Sequence, residues 1–399
     1  MAERFTKPFN RQEPIPETGI AAAVEVMRSG ALHRYSWPEC DGPAEVLEQR
    51  FAVWQGARYC LAVTSGGQAM RIALAALGVG PGDKVLTNAW TLAPVPGAIA
   101  SVGAEAVLVE TTKDLVIDLG DLAEKAEASG AGVLLLSHMR GHLVDMDALM
   151  AWADAARVTV VEDCAHTMGA EWASRKSGSF GQVACFSCQT YKHLNAGEGG
   201  LLTTDDPEIA ARATILSGSY MHWARHGAGP SSDAFGDARL DMPNGSARMD
   251  NLRAALLLPQ IDDLDANLDR WARLSEIVRA ALASAPGVVL PTVPAAARRI
   301  GSSIQWRMPA LDAAGCRRFV AACADCGLDI KWFGDADPKG FTSTHASWRY
   351  VPRQMLPRTD DVLATLFDMR LPLTFTEGDC ALIGRVLTEV ASRMMRVAA

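Results

Sequence analysis

Short apolar segments that favour β-strands alternate with helical segments through the first half of the chain. The predicted strands cover residues 60–64, 84–88, 106–109, 133–137, 159–163, 183–187 and 200–204, and helices predicted between them cover 69–77, 94–101, 121–129 and 147–156. Strands that are apolar on both faces must be covered by helices on both sides of their sheet. The alternation therefore predicts an α/β fold with a mostly parallel seven-stranded sheet sandwiched by helices.

The second half of the chain has a different pattern. A long helical run covers about residues 248–283, and apolar segments at 288–290 and 305–309 and a last helix follow it. This part predicts a smaller C-terminal α+β domain. We place the division so that residues 1–258 form an N-terminal arm and a large domain, and residues 259–399 form the small domain.

Polar or aromatic residues follow the predicted strands at the sheet edge where open α/β proteins bind ligands. The turn TSGGQAM after the first strand offers the backbone amides of Gly67 and Gln68 at the beginning of a helix, which is a favourable position for a phosphate. The same pattern is found in a plain strand-to-helix turn. Trp90 follows the second strand, and its indole can either stack on a flat ring or pack in the core.

Two further strands lead to ionisable side chains. Asp163 ends an apolar strand, so its carboxylate needs a partner, which a protonated pyridine nitrogen would supply unless the carboxylate caps a helix. His166 can donate to the ring oxygen of a cofactor or pack on its face. Ser187 ends the next strand within reach of a phosphate. Lys192 follows in a turn, as a solvated side chain or as a nucleophilic amine.

These groups become informative when they are taken together. A phosphate-binding turn, an aromatic ring, a buried aspartate and a lysine after it are what pyridoxal 5′-phosphate (PLP) requires. We therefore predict PLP as the cofactor and assign catalytic roles to Lys192, Asp163 and His166. No metal is expected, because the cysteine pairs 185/188 and 323/326 lie in strand-like and helical segments that favour core packing over zinc binding.

Composition argues against other classes of function. The formal net charge is −8 and basic residues are spread out, so we expect no binding to nucleic acid or to an anionic membrane. The N-terminus lacks the apolar core of a signal peptide, and no apolar run is long enough for a transmembrane helix. The nine irregularly spaced cysteines favour a reducing, cytoplasmic location.

Four motifs resemble those of a known family: DCAHTMGA at 163–170, GSFG at 178–181, FSxxxxK at 186–192 and GEGGxxTTDD at 197–206. They are similar to those of the DegT/DnrJ/EryC1/StrS aminotransferases, which are fold-type I PLP enzymes. Many members make amino sugars or aminocyclitols, and relatives that replace the lysine by histidine are dehydratases. The resemblance covers roughly residues 10–270, and the retained lysine favours transamination.

The resemblance implies roles for individual residues. Lys192 would be the Schiff-base lysine, Asp163 would contact the pyridine nitrogen and Trp90 would stack on the ring. The phosphate would be held by a further set of three residues, Gly67, Gln68 and Ser187.

The family's active sites lie at a homodimer interface, where a neighbouring subunit usually gives an asparagine of an N-x-R-M motif to the phosphate. This chain reads PNGSARMD at 243–250, so either Asn244 or Ser246 would reach the neighbouring site. The family's HLYG is His138-Met139-Arg140-Gly141 here, and its C-terminal HYxPLH is absent. Arg140 can therefore bind a carboxylate or phosphate of a smaller, anionic substrate, unless it is a structural arginine.

The predicted function is a ping-pong amino transfer from an amino acid, glutamate or glutamine by family likeness, to a ketone or aldehyde of a sugar, cyclitol or other small carbonyl compound. The expected partners are these small molecules and a second copy of the chain. Two alternatives keep the cofactor: a PLP-dependent dehydratase or eliminase, and a non-catalytic PLP-binding regulator.

Overall fold

The computed structural model describes residues 3–38, 41–340 and 342–398. The strands in this part of the chain are β1 (Tyr59–Val63), β2 (Lys84–Asn88), β3 (Glu105–Val109), β4 (Val133–Ser137), β5 (Thr159–Asp163), β6 (Glu171–Trp172), β7 (Arg175–Lys176), β8 (Val183–Ser187), β9 (Gly200–Thr204), β10 (Ala297–Arg298), β11 (Ser303–Arg307), β12 (Lys331–Trp332) and β13 (Leu366–Arg370).

A seven-stranded sheet forms the centre of the molecule, in the order β1-β9-β8-β5-β4-β2-β3. The five strands from β8 to β3 are parallel to one another, and β9 is antiparallel to its neighbours β1 and β8. The predicted α/β fold with a mostly parallel seven-stranded sheet is therefore confirmed. The observed bounds of β1 and β3 differ from the predicted ones by one residue.

The helices are α1 (Glu17–Ser29), α2 (Pro43–Gln55), α3 (Gly66–Ala76), α4 (Pro94–Ser101), α5 (Leu119–Ser129), α6 (Met146–Ala156), α7 (Pro207–Ser217), α8 (Ala238–Asp241), α9 (Asn251–Asp262), α10 (Leu264–Ala283), α11 (Ala313–Asp325), α12 (Pro357–Leu363) and α13 (Glu377–Ala398). None of these helices combines the length and apolar character that crossing a membrane requires.

Helices cover both faces of the central sheet. One core contains apolar residues of α3, α4 and α7, and the opposite core contains apolar residues of α2, α5, α6 and α9. Val160 and Val161 are adjacent in β5 and belong to opposite cores, as strand geometry requires. The continuous apolar character of the strands, which predicted a doubly covered sheet, follows from this layering.

The second half of the chain adds a three-stranded antiparallel sheet in the order β11-β13-β12. Helices α10, α11 and α13 pack around it, with the most extensive helix packing between α10 and α13. The predicted smaller α+β region is therefore present. The predicted division after residue 258 lies inside α9, and the division of the chain into 1–258 and 259–399 stays a prediction.

Candidate active site

Lys192 lies in the turn after β8, at the carboxyl edge of the central sheet. Its Nζ is 2.7 Å from Nε2 of His166. Burial lowers the pKa of Lys192 from 10.5 to about 7, and the positive charge of Arg140 acts in the same direction. Near neutral pH a large share of this amine is therefore uncharged, which is the form that attacks a carbonyl carbon.

His166 is a neutral partner for this amine. Burial lowers the pKa of His166 well below 6.5, and the charge of Lys192 lowers it further. An uncharged imidazole whose Nε2 carries no proton can accept a hydrogen bond from the amine. The sequence predicts His166 beside the cofactor, and in the structure its imidazole lies against the amine of Lys192.

Asp163 ends β5 with a buried carboxylate, and its hydrogen-bond donors among the described residues are neutral. The backbone N–H of Ala165 donates to Oδ1 at 3.1 Å, and Ser137 Oγ donates to Oδ2 at 3.0 Å. Thr91 Oγ1 in turn donates to Ser137 Oγ at 2.7 Å. Burial raises the pKa of Asp163. A cationic N–H beside this carboxylate would offset the cost of its burial.

The turn before α3 forms a cup at the same edge. Gly66 and Gly67 line a cavity of about 70 Å³ together with Asp163, Ser187 and Lys192. A Cβ on Gly66 would lie 2.9 Å from Cβ of Ser187, so only glycine fits there, whereas a Cβ on Gly67 would meet nothing closer than 3.8 Å. The free N–H groups at the helix N-terminus suit a phosphate.

Gln68 contributes differently from the prediction. Its backbone N–H donates to Ser65 Oγ at 3.1 Å, so Ser65 caps α3. This N–H is the group that the sequence predicts for the phosphate. This cap also explains why α3 begins at Gly66, before the predicted start at residue 69. Gly66 belongs to the quoted turn TSGGQAM but was not predicted as a site residue.

A larger cavity of about 600 Å³ extends from this cup toward the three-stranded sheet β11-β13-β12. Gly66, Gly67, His166, Ser187 and Lys192 line both cavities. The larger cavity is also lined by four residues from 329–343 and by one residue of β13. The cup and the larger cavity therefore form one site with two walls, one from each part of the chain.

Trp90 lies outside both cavities. Its side chain is 1% exposed, and its ring centroid is 5.6 Å from that of Phe333 and 6.0 Å from that of His142. Leu92, two residues later, lines both cavities. The chain leaves β2 at Asn88, so the alternation of a strand no longer determines which side chain faces the ligand. The structure therefore places Leu92, and not Trp90, at the cavity.

Arg140 reaches the larger cavity, but its charge is balanced. Its backbone is in the left-handed region with φ 55°, and its Nη2 lies 2.8 Å from Oδ2 of Asp368 in β13. The ion pair is close without being aligned as a hydrogen bond. Gln305 Nε2 donates to the other carboxylate oxygen at 2.8 Å. Arg140 thus joins the two walls of the site, and its predicted substrate-binding role stays a prediction.

A second buried hydrogen-bond network is centred on Glu162 of β5. Oε2 of Glu162 lies 2.9 Å from His138 Nε2, and Glu162 accepts three backbone N–H groups at residues 178, 180 and 181. With Cys164, these two residues form the one cluster of potential metal ligands found in the described residues. The carboxylate of Glu162 is already fully hydrogen-bonded. It therefore orders the GSFG turn at 178–181.

Asn244 and Ser246 are exposed and line neither cavity of their own chain. The Ser246 N–H donates to Asn244 Oδ1 at 3.1 Å, which folds the segment into a compact turn. Which of the two reaches a neighbouring subunit stays a prediction.

Sequence reasoning missed Thr91, Ser137 and Leu92, and also the cations Lys331 and Arg370 of the larger cavity. Ser137 could have been found, because it ends a predicted parallel strand beside the strand that ends at Asp163. The two cations carry no local signal, since they come from a sheet whose position relative to the cup depends on the whole fold.

The residues of the cup fit PLP. Asp163 offers a buried carboxylate that pairs with no cation of the described residues, Lys192 offers an amine whose pKa burial lowers to about 7, and Gly66, Gly67 and Ser187 surround the helix N-terminus that would hold the phosphate.

Comparisons with known proteins agree with this assignment of PLP. The model of the DegT/DnrJ/EryC1/StrS aminotransferase family matches residues 15–377, well beyond the range 10–270 expected from the motifs. The chain is 33% identical over 279 residues to the spore coat polysaccharide biosynthesis protein SpsC of Bacillus subtilis (strain 168), which covers 69% of each chain. It is 34% identical over 275 residues to the dTDP-3-amino-3,4,6-trideoxy-alpha-D-glucose transaminase of Streptomyces venezuelae, covering 68% of this chain and 67% of the relative.

A solved structure, that of S. venezuelae DesV in complex with a ketimine intermediate, covers 94% of each chain with a TM-score of 0.79 at 26% identity. Aminotransferases of this family use PLP, which is the cofactor that the cup fits. The chain therefore belongs to the DegT/DnrJ/EryC1/StrS aminotransferase family, and it is a PLP-dependent aminotransferase.

Proposed function

We propose that this protein moves an amino group from an amino acid, L-glutamate or L-glutamine, to a ketone or aldehyde of a sugar, a cyclitol or another small carbonyl compound. The observation that carries the proposal is the buried amine of Lys192, with its pKa lowered to about 7, in a cavity that is also lined by Asp163 and the glycine cup. The name of the S. venezuelae relative, a transaminase of a dTDP-linked amino sugar, supports a sugar-like acceptor.

Three kinds of contact would hold the cofactor. Asp163 would hold the protonated ring nitrogen, and Ser137 would orient the carboxylate through its hydrogen bond to Oδ2. Gly67 and Ser187 would hold the phosphate, and Lys192 would bind the aldehyde carbon. When bound, PLP supplies an electron sink for the negative charge that develops on the substrate carbon.

Lys192 Nζ is the proton carrier of the site. With a pKa of about 7, it can take up a proton and release it again near neutral pH, as a group that acts as base and then as acid must do. His166 Nε2, 2.7 Å away, fixes the position of the amine. Because both groups are desolvated, small changes of nearby charge have large effects on the proton affinity of Nζ.

The proposal includes a homodimer with shared active sites. The exposure of Asn244 and Ser246, away from the cavities of their own chain, supports a contact with a neighbouring site. The cytoplasmic location expected from the cysteines stays a prediction.

The test is a half-reaction of the PLP-loaded full chain with an amino acid, and the loss of the yellow colour is the measured signal. We expect L-glutamate or L-glutamine to bleach the protein and to release one equivalent of keto acid per subunit. The Lys192→Ala variant should retain some PLP without being bleached catalytically. A dehydratase would form product without an amino donor, and a regulator would stay yellow with every amino acid. Either result would refute the proposal.

A further inference from the structure

Two cations in the wall of the larger cavity have no ion-pair partner in the part of the chain that the structure describes. Lys331 of β12 and Arg370 of β13 line this cavity together with Lys192. Among residues 3–38, 41–340 and 342–398, no carboxylate lies within ion-pair distance of either cation. Asp329 and Asp368 attract both at longer range only.

The small sheet turns these cations toward the site. Lys331 is directly opposite Asp368 in the antiparallel pairing of β12 and β13, so both side chains are on one face of the sheet. Arg370 lies two residues beyond Asp368, which puts it on the same face. Asp368 contacts Arg140, so this face is the one that meets the large domain.

Arg140 is not available in the same way, because Asp368 already balances its charge. Asp368 is fully buried, and forming an ion pair with a second cation would leave Arg140 unpaired. Arg370 instead lies over the ring of Tyr191, with its Cζ 4.0 Å from the ring centroid. The charge of Arg370 also lowers the pKa of Lys192, so the guanidinium group lies near the amine in the same cavity.

The two cations are only partly hydrated. Burial lowers the pKa of Arg370 to about 10, with Arg140 acting in the same direction, and burial also lowers the pKa of Lys331. Desolvated like charges in one cavity wall raise the free energy of the folded state, and a bound anion would offset this cost. A guanidinium group and an ammonium group that face one cavity are the donors that a carboxylate requires.

We propose that Arg370 and Lys331 bind the α-carboxylate of the amino donor. The inference rests on the proposed amino transfer and names the donor-binding residues of that site. An amino acid must bring its Cα next to Lys192 Nζ, and its carboxylate is one bond from Cα, so its binding groups must belong to the wall around Lys192. Arg370 and Lys331 are the unpaired cations of that wall in the described part of the chain.

The test compares two amides of glutamate in the bleaching half-reaction. L-glutamine has a free α-carboxylate, whereas L-isoglutamine has an α-amide and the same composition. Charge-assisted hydrogen bonds predict a preference of about 10- to 100-fold for L-glutamine in the wild type. Arg370→Gln and Lys331→Met should each remove most of this preference. Arg393→Gln is the matched control, since Arg393 pairs with Glu389 on the exposed face of α13.

A second readout is independent of turnover. Calorimetric titration of the PLP-loaded chain with glutarate should show a dissociation constant about tenfold higher in Arg370→Gln than in the wild type, and an unchanged value in Arg393→Gln. Arg370→Lys keeps the charge and should give an intermediate value. If Arg370→Gln does not fold, Arg370→Lys and Lys331→Met still make both comparisons.

The outcomes separate the two proposals. If no amino acid bleaches the wild type, the proposed amino transfer fails, and the glutarate titration still tests the carboxylate site. If L-glutamine bleaches the wild type and the variants keep its preference and its glutarate affinity, the assignment of Arg370 and Lys331 is wrong.

Discussion

The charge of Arg140 should control the reactivity of Lys192. After burial, this charge is the largest influence that lowers the pKa of Lys192 to about 7. Arg140→Met removes it and also leaves the Asp368 carboxylate unpaired, which favours the charged amine. Both effects raise the pKa of Lys192. We expect the pKa of Lys192 to rise from about 7 to about 8, because a charge in a partly buried site shifts a neighbouring pKa by roughly one to three.

The consequence can be calculated for the capture of PLP by the cofactor-free protein. With a pKa of about 7, half of Lys192 is uncharged at about pH 7, and with a pKa of about 8 the fraction falls to roughly one in eleven. Capture should therefore be about fivefold slower in Arg140→Met near pH 7. At about pH 9 the amine is mostly uncharged in both proteins, so the two rates should converge.

Stopped-flow absorbance after mixing with PLP measures this rate, and a pH series locates the midpoint. Arg140→Lys keeps the charge and serves as the matched control, with a midpoint near that of the wild type. An equal slowing of Arg140→Met at both pH values would show that Arg140 acts only through structure. A wild-type rate that still rises steeply above about pH 9 would contradict the lowered pKa of Lys192.

Three further predictions follow from buried contacts. Asp163→Asn should retain PLP but lose roughly a thousandfold in turnover, or about 4 kcal/mol of barrier, measured as steady-state rate against PLP occupancy. Gly66→Ala, whose Cβ would lie 2.9 Å from Ser187 Cβ, should lower the free energy of unfolding by about 1–3 kcal/mol, and Gly67→Ala by less, measured by urea denaturation. Glu48 is buried and paired with Arg34, and its pKa falls from 4.5 to about 2, so this pair stabilises the fold above about pH 4.5 and loses about 3 kcal/mol as the pH falls to about 2. Denaturation at several pH values should show this loss in the wild type and a flatter profile in Glu48→Gln.

The sequence predicts the cup because its signals are local. Asp163, Ser187 and Lys192 each follow a recognisable apolar strand, and the carboxyl ends of parallel strands share one edge of a sheet. The structure brings all three to a single cavity with His166. The prediction is weaker where the backbone leaves the strand. Trp90 and Leu92 are both apolar and follow Asn88 closely, and only the path of the turn decides which of them faces the cavity.

The opposite wall could not be predicted from local pattern. Arg140 meets Asp368 because the short helical turn after β4 packs against β11, the neighbour of β13 in the small sheet. No local pattern in either segment predicts this contact. Arg370 could not be predicted either, because in the sequence it is only a charged residue at the end of an apolar strand. Their roles depend on how the small sheet packs against the large domain, and that packing is a property of the complete core.

The division of labour between the two walls has a physical reason. The block at 163–206 supplies the cup, and its chemistry is the same for every substrate, so its motifs resemble those of the family. The groups proposed to bind the donor, Arg370 and Lys331, belong to the opposite wall, which also contains Arg140, where this chain departs from the family's HLYG. Because Arg370 lowers the pKa of Lys192 and has no ion-pair partner in the described residues, a change at this position should alter substrate choice and amine reactivity together. Replacing the cup of a relative by the cup of this chain should therefore leave the relative's choice of substrate unchanged.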